Sequence, residues 1–130
     1  MITLYGIPNC DTMKKARSWL DAHHIEYVFH DYKKQGVDKK ELNRWVAELG
    51  WETLLNQRGT TWRKLDENLK SNINQTAALK LMLDNPSIIK RPVLDTQKKL
   101  VAGFFDLIRG SLTALFPENI LVSLVRKSNN

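Results

Sequence analysis

The 130-residue sequence contains one cysteine, Cys10, and its surroundings suggest chemistry. It follows Gly6-Ile7-Pro8-Asn9, a run of turn formers, and precedes a segment whose apolar residues recur at helical spacing. A side chain at such a junction faces free backbone N–H groups and the positive end of the helix dipole, and both favour a thiolate over a thiol. The thiolate is the nucleophile, so a group that ordinarily ionises near ~8.5 would gain reactivity at neutral pH. The competing assignment for Cys10 is a small buried hydrophobe, a common fate of free cysteine. With one cysteine no intrachain disulfide can form, so a mixed disulfide on Cys10 would need a thiol from another molecule to release it.

Two arginines could complete an anion site. Arg58 precedes Gly59 in a polar loop and Arg91 precedes Pro92 at the entrance to a strand, places from which a guanidinium can hold a carboxylate or oxyanion in a bidentate grip. The alternative for each is a solvated surface arginine. Asn9, Thr12 and Lys14 flank the cysteine as secondary candidates, Lys14 by adding positive potential one turn along the helix. If the Arg91-Pro92 bond is cis, it would set backbone groups against the cysteine loop. His23, His24 and His30 lack metal-ligand spacing with Cys10 and have no evident carboxylate partner, so neither a metal site nor a Cys-His dyad is expected.

Several elements must position these residues. Ile2 to Tyr5 reads as a strand that enters the cysteine loop. Asp11 to His23 carries Met13, Ala16, Trp19, Leu20 and Ala22 on one side and charged residues on the other, an amphipathic helix. Ile25 to Asp31 alternates apolar and polar residues as a second strand, and Lys33 to Gly36 reads as a loop. Asp38 caps a helix with Leu42, Trp45, Val46 and Leu49 in one stripe, stopped at Gly50. Helical segments follow over Trp51 to Leu55, near Leu65 to Leu69 and over Gln75 to Asp84, with the polar loop Gln57 to Arg63 among them. Pro92 starts a strand, since it cannot donate to a central ladder, and Asp95 to Lys98 turns Val93-Leu94 back into Leu100-Val101-Ala102. A last helix over Phe104 to Phe116 ends at Pro117, with a short helix and frayed tail over 117–130. The order strand, helix, strand, helical insertion, hairpin, helix is thioredoxin-like: an α/β fold with a four-stranded mixed sheet flanked by helices, in one domain spanning 1–130.

Composition narrows the function classes. With 42% hydrophobic and 26% charged residues the chain resembles a soluble domain, and it carries no apolar run long enough to span a membrane. No secretory leader is visible at Met1-Ile2-Thr3-Leu4-Tyr5, so a cytoplasmic location is expected. The net charge of +6 is spread among acidic residues with no basic stripe, which argues against direct nucleic-acid binding and suits small anionic ligands.

Tyr5 to Ala16 closely resembles the active-site loop and first helix of the arsenate reductase, or ArsC, family. Asn56 to Leu65, then Ile89 to Leu94, then Val101 to Phe104 follow in family order, so the resemblance covers Met1 to about Phe116. It is strongest to the YffB-type branch of glutathione-dependent thiol reductases, with the Spx transcription regulators as another bacterial branch. The resemblance implies a thioredoxin fold with a helical insertion, Cys10 as nucleophile, Arg58 and Arg91 as anion-binding residues and Pro92 as a cis-proline. It also implies glutathione or another small thiol as cosubstrate, no bound cofactor or metal, and a protein disulfide or glutaredoxin as partner. In the alternative reading the chain is a Spx-like regulator that binds RNA polymerase without catalysis, and a further alternative is an arsenate reductase. Two departures matter: the further arginine of arsenate reductases is absent around Leu100 to Phe104, and Met13 stands where Spx-type switches carry a second cysteine.

Overall fold

The computed structural model describes residues 1–109. The latter part of the helix expected through Phe116, and the helix and tail expected over 117–130, lie outside the described residues. In chain order the elements are β1 (Thr3–Gly6), α1 (Asp11–Ala22), β2 (Val28–Asp31), α2 (Tyr32–Gln35), α3 (Lys39–Leu49), α4 (Trp51–Leu54), α5 (Thr60–Arg63), α6 (Glu67–Ser71), α7 (Gln75–Asp84), a 3-10 turn (Pro86–Ile88), β3 (Val93–Asp95), β4 (Leu100–Ala102) and α8 (Phe104–Arg109). They fall into two compact units, one made of Met1–His30 with the described residues from Arg91 onward, the other of Asp31–Lys90.

The first unit is built on a four-stranded mixed sheet in the order β2-β1-β3-β4. β3 runs antiparallel to both neighbours, with Leu94 opposite Leu4 on one side and Val101 on the other. Alternation along β1 sends Leu4 to the side occupied by α1 and α8, where it is buried with Met13, Ala16, Leu20, Ile25, Leu94 and Leu107. The stripe read along α1 thus packs through Met13, Ala16 and Leu20, whereas Trp19 is half-buried and Ala22 is exposed. The hairpin closes as its turn residues suggest: the Asp95 carboxylate accepts the Gln97 amide at 2.9 Å, and the Thr96 amide reaches the Lys99 carbonyl at 3.0 Å.

The second strand begins three residues later than its alternating pattern suggests, because helix termination claims Ile25. His24 adopts a left-handed φ of 58°. Its amide bonds to Asp21 O at 3.1 Å and the Ile25 amide to Leu20 O at 3.0 Å. That is a Schellman arrangement, with Ile25 and Leu20 meeting in the core as its hydrophobic contact.

In the second unit α3 presents Leu42, Trp45 and Val46 to a core shared with Leu54, Ala78 and Met82, and the Tyr32 and Trp45 rings lie 6.4 Å apart. Asp38 caps α3 by accepting the Lys40 amide at 3.0 Å, and Gly50 ends it at φ 84°, as the sequence suggests. Two expected loops are short helices. Asp31 caps α2 by accepting the Lys33 amide at 2.9 Å, so Lys33 to Gln35 complete a helical turn. The residues Thr60–Arg63 form α5, with the Thr61 hydroxyl 3.2 Å from that of Ser87. A short antiparallel bridge joins Leu55 to Ile89, extended by the Lys90 amide donating to Leu54 O at 2.7 Å. The chain is thus held by backbone bonds up to the residue that precedes Arg91.

Leu94 sits at 0% exposure in the middle strand pair. Leu94→Ala is expected to cost about 2–5 kcal/mol through lost burial and a residual cavity. A urea midpoint lowered at constant slope would report this, and a loss below ~1 kcal/mol would mean that the sheet is not packed as described.

Candidate active site around Cys10

Cys10 is the N-cap of α1. Its backbone is extended at φ −127° and ψ 131°, and its carbonyl accepts the first helical bond, from the Lys14 amide at 3.0 Å. A residue in this position turns its side chain toward the amides two and three residues on. For Cys10 these belong to Thr12 and Met13, and both stabilise the sulfur.

Arg91 supplies the third donor. It lies in the same compact unit, half-buried, two residues before β3, and its guanidinium hydrogen-bonds the Cys10 sulfur. The Arg91-Pro92 peptide bond is cis, Pro92 is buried, and the Pro92 carbonyl accepts the Gly103 amide at 2.8 Å. Burial is the largest single influence on the Cys10 thiol and pushes its pKa up. The Met13 amide, the hydrogen bond from Arg91, the Thr12 amide and the charge of Arg91 together outweigh it, so the thiol ionises below the ordinary cysteine value. Cys10 is neither sealed nor fully open: it packs against the core cluster while remaining partly accessible. A partly accessible thiolate beside a guanidinium can attack an electrophilic sulfur or bind next to an anion.

The structure brings Cys10, Thr12 and Arg91 together. Asn9 is an exposed turn residue directly before the cysteine, and the Lys14 side chain is exposed on α1. Arg58 belongs to the second unit, where its side chain is exposed, its amide donates to Asn56 Oδ1 at 3.1 Å and its carbonyl accepts from Arg63 at 3.0 Å. His23 leans on Trp19 with ring centroids 4.2 Å apart, and His30 packs on Tyr5 at 4.8 Å. One contributor escapes a reading of the sequence. Met13 registers there as one member of an apolar stripe, yet the hydrogen bond of its amide is the largest single influence that lowers the Cys10 pKa. The available signal is its place three residues after the cysteine, where an N-cap side chain finds its donor.

A mixed sheet in this order, with a cysteine capping the helix after β1 and a cis-proline entering β3, is a thioredoxin-like fold. The chain belongs to the ArsC family, whose model matches residues 5–106. It is similar to the solved structure of a YffB protein, at 51% identity and a TM-score of 0.81 over 88% of this chain and 99% of that one. An arsenate reductase (ArsC) related protein from Brucella melitensis is 55% identical, with a TM-score of 0.68 over 78% of this chain and 85% of that one. The global transcriptional regulator Spx of Streptococcus pyogenes is 29% identical over 106 residues, which is 80% of this chain and 78% of the regulator. Among the described residues no helix is long and apolar enough to cross a membrane.

Arg91→Met should raise the pH midpoint of Cys10 alkylation by about one unit, because the full positive charge that Arg91 brings to the sulfur is lost. Stability should follow the same sign. A thiol whose folded pKa is depressed adds stability above the unfolded value of about 8.5, and loses it as pH falls through the lower folded value. Arg91→Met should therefore destabilise the protein more at about pH 9 than at about pH 5. An unchanged alkylation midpoint would remove Arg91 from the site.

Proposed function

We propose that this protein is a glutathione-dependent thiol-disulfide reductase with Cys10 as its only nucleophile. The observation that carries the reading is the partly accessible Cys10 sulfur, held toward its charged form by the first-turn amides and the Arg91 guanidinium. The thiolate attacks the glutathionyl sulfur of a mixed disulfide. The substrate's S–S bond breaks, its thiolate leaves and takes a proton from solvent, and a Cys10–glutathione disulfide forms. A second glutathione thiolate then attacks the glutathione sulfur of that bond, which regenerates the Cys10 thiolate and releases oxidised glutathione. Two electrons pass from glutathione to the substrate, and no second cysteine in the chain is needed.

Arg91 has two roles in this scheme. It stabilises the thiolate before attack, and it holds a glutathione carboxylate once the sulfur's charge has passed to the leaving group. Arg58 is proposed as a second anion-binding residue on the strength of its match to the family motif. Arsenate reduction is less well supported, since the hairpin region Leu100 to Phe104 carries no arginine. Similarity to Spx raises a polymerase-binding reading, but Gly50, which the resemblance would match to a glycine in the regulators' partner-binding loop, is accounted for by ending α3 at φ 84°.

Incubation with oxidised glutathione should give one glutathione adduct per chain by intact mass, absent from Cys10→Ser and removed by added reduced glutathione. Arg91→Met and Arg58→Met should each weaken adduct formation roughly tenfold, the loss of one charge-assisted anion contact. No adduct on the unmodified chain, or an equal adduct on Cys10→Ser, would end the proposal. Capture of RNA polymerase undiminished by Cys10→Ser, with no thiol turnover, would favour the regulator reading.

A further inference from the structure

Gly6 closes β1 and is buried, and among the described residues it is the last strand position before the loop that carries Cys10. Its backbone is not among those with a left-handed φ, so the peptide conformation itself would accept any L-residue. The space would not: a Cβ built there collides with the sulfur of Met13. Met13 is at 0% exposure, and its thioether rests on the bare backbone of Gly6. One contact thus joins the two ends of the loop, strand end to first helical turn, with Ile7-Pro8-Asn9-Cys10 held between them.

We propose that Met13 is a positioning residue for the reactive sulfur: its side chain, lodged against the bare Cα of Gly6, fixes the first turn of α1 so that the Thr12 and Met13 amides stay aimed at Cys10. The inference rests on the reading of Cys10 as a working nucleophile and adds the device that sets its geometry. Methionine is a long, flexible filler whose own rotamers specify little. The specification comes from the glycine, which leaves a slot of one shape. Filling that slot fixes the residue whose amide faces the sulfur, so packing in the core and charge at the site are set by the same side chain. An amide aimed at a charge loses much of its effect when it is misaligned by a fraction of an ångström or some tens of degrees, and loosening the slot would allow that movement.

The test is the ultraviolet absorbance of the Cys10 thiolate against pH, with circular dichroism and thermal midpoint recorded on each sample. Gly6→Ala, which drives the thioether out, and Met13→Ala, which empties the slot, should each raise the ionisation midpoint by about half to one unit, a roughly three- to tenfold fall in the ionisation constant. Met13→Leu, close in volume, should stay within about 0.3 units of the unmodified chain. In Gly6→Ala/Met13→Ala the new Cβ takes up part of the vacated space, and the midpoint should return at least halfway. Variants that lose thermal stability while keeping the unmodified midpoint would overturn the proposal and leave Met13 an ordinary core residue. So would a double variant whose shift is the sum of the two single shifts. Should Gly6→Ala not fold, the contrast between Met13→Ala and Met13→Leu decides the matter in the same way. These titrations contain no glutathione, so a failure of glutathione to form an adduct would count against the reductase alone, and an unmoved midpoint against Met13 alone.

Discussion

A sulfur that carries negative charge while partly withdrawn from water is the condition on which this site depends. Withdrawal disfavours the thiolate, and for Cys10 it is the largest single influence. The condition is met because several smaller influences act in the other direction together. The amides of Thr12 and Met13 come with the helix, as any N-cap position offers them. Among the described residues, the guanidinium of Arg91 is the contribution with a full charge, and it comes from a different part of the chain, 81 positions on by the numbering. The fold's task is to bring that distant side chain to the start of α1 and keep it there.

The way it does so runs through backbone geometry. β1 and β3 are paired with Leu4 opposite Leu94 and Tyr5 opposite Val93, so the end of β1 and the beginning of β3 meet at one end of the sheet's central strand pair. The cysteine loop leaves from the first of these and Arg91-Pro92 enters at the second. Residues far apart in sequence thus become neighbours through an antiparallel register, and a one-residue slip would put Leu4 and Leu94 on opposite faces of the sheet. Stability and reactivity are linked by this register: the apolar contacts that hold it are those that hold the guanidinium at the sulfur. Gly6 and Met13 tighten the same arrangement from the other side of the loop.

Much of this was legible in the residues, for identifiable reasons. Turn formers before a helical period place Cys10 at an N-cap, and proline chemistry places Pro92 at a strand entrance, because both signals are local and steric. Helix caps at Asp38 and Gly50 are legible in the same way. Signals that compete locally were not. Ile25 fits the alternation of a strand, and only the left-handed turn at His24 assigns it to the end of α1. Lys33 to Gln35 and Thr60 to Arg63 look like loops because helices of a single turn have no room for an apolar period. The Arg91 hydrogen bond to Cys10 could be expected only through the fold assignment, since no spacing in the sequence connects the two. The slot between Gly6 and Met13 is a matter of shape, and neither residue type announces it.

The central claim is that the surroundings of Cys10 favour its charged form despite partial burial. The most direct measurement is the ionisation of that single thiol in the unmodified protein, followed by its ultraviolet absorbance as pH is lowered. With one cysteine in the chain, the thiolate signal comes from a single sulfur, and subtracting the same titration of Cys10→Ser removes the contribution of the three tyrosines. A midpoint clearly below the ordinary ~8.5 of a free cysteine is the predicted result. A midpoint at or above that value would mean that burial prevails over the amides and the guanidinium, and would contradict the account.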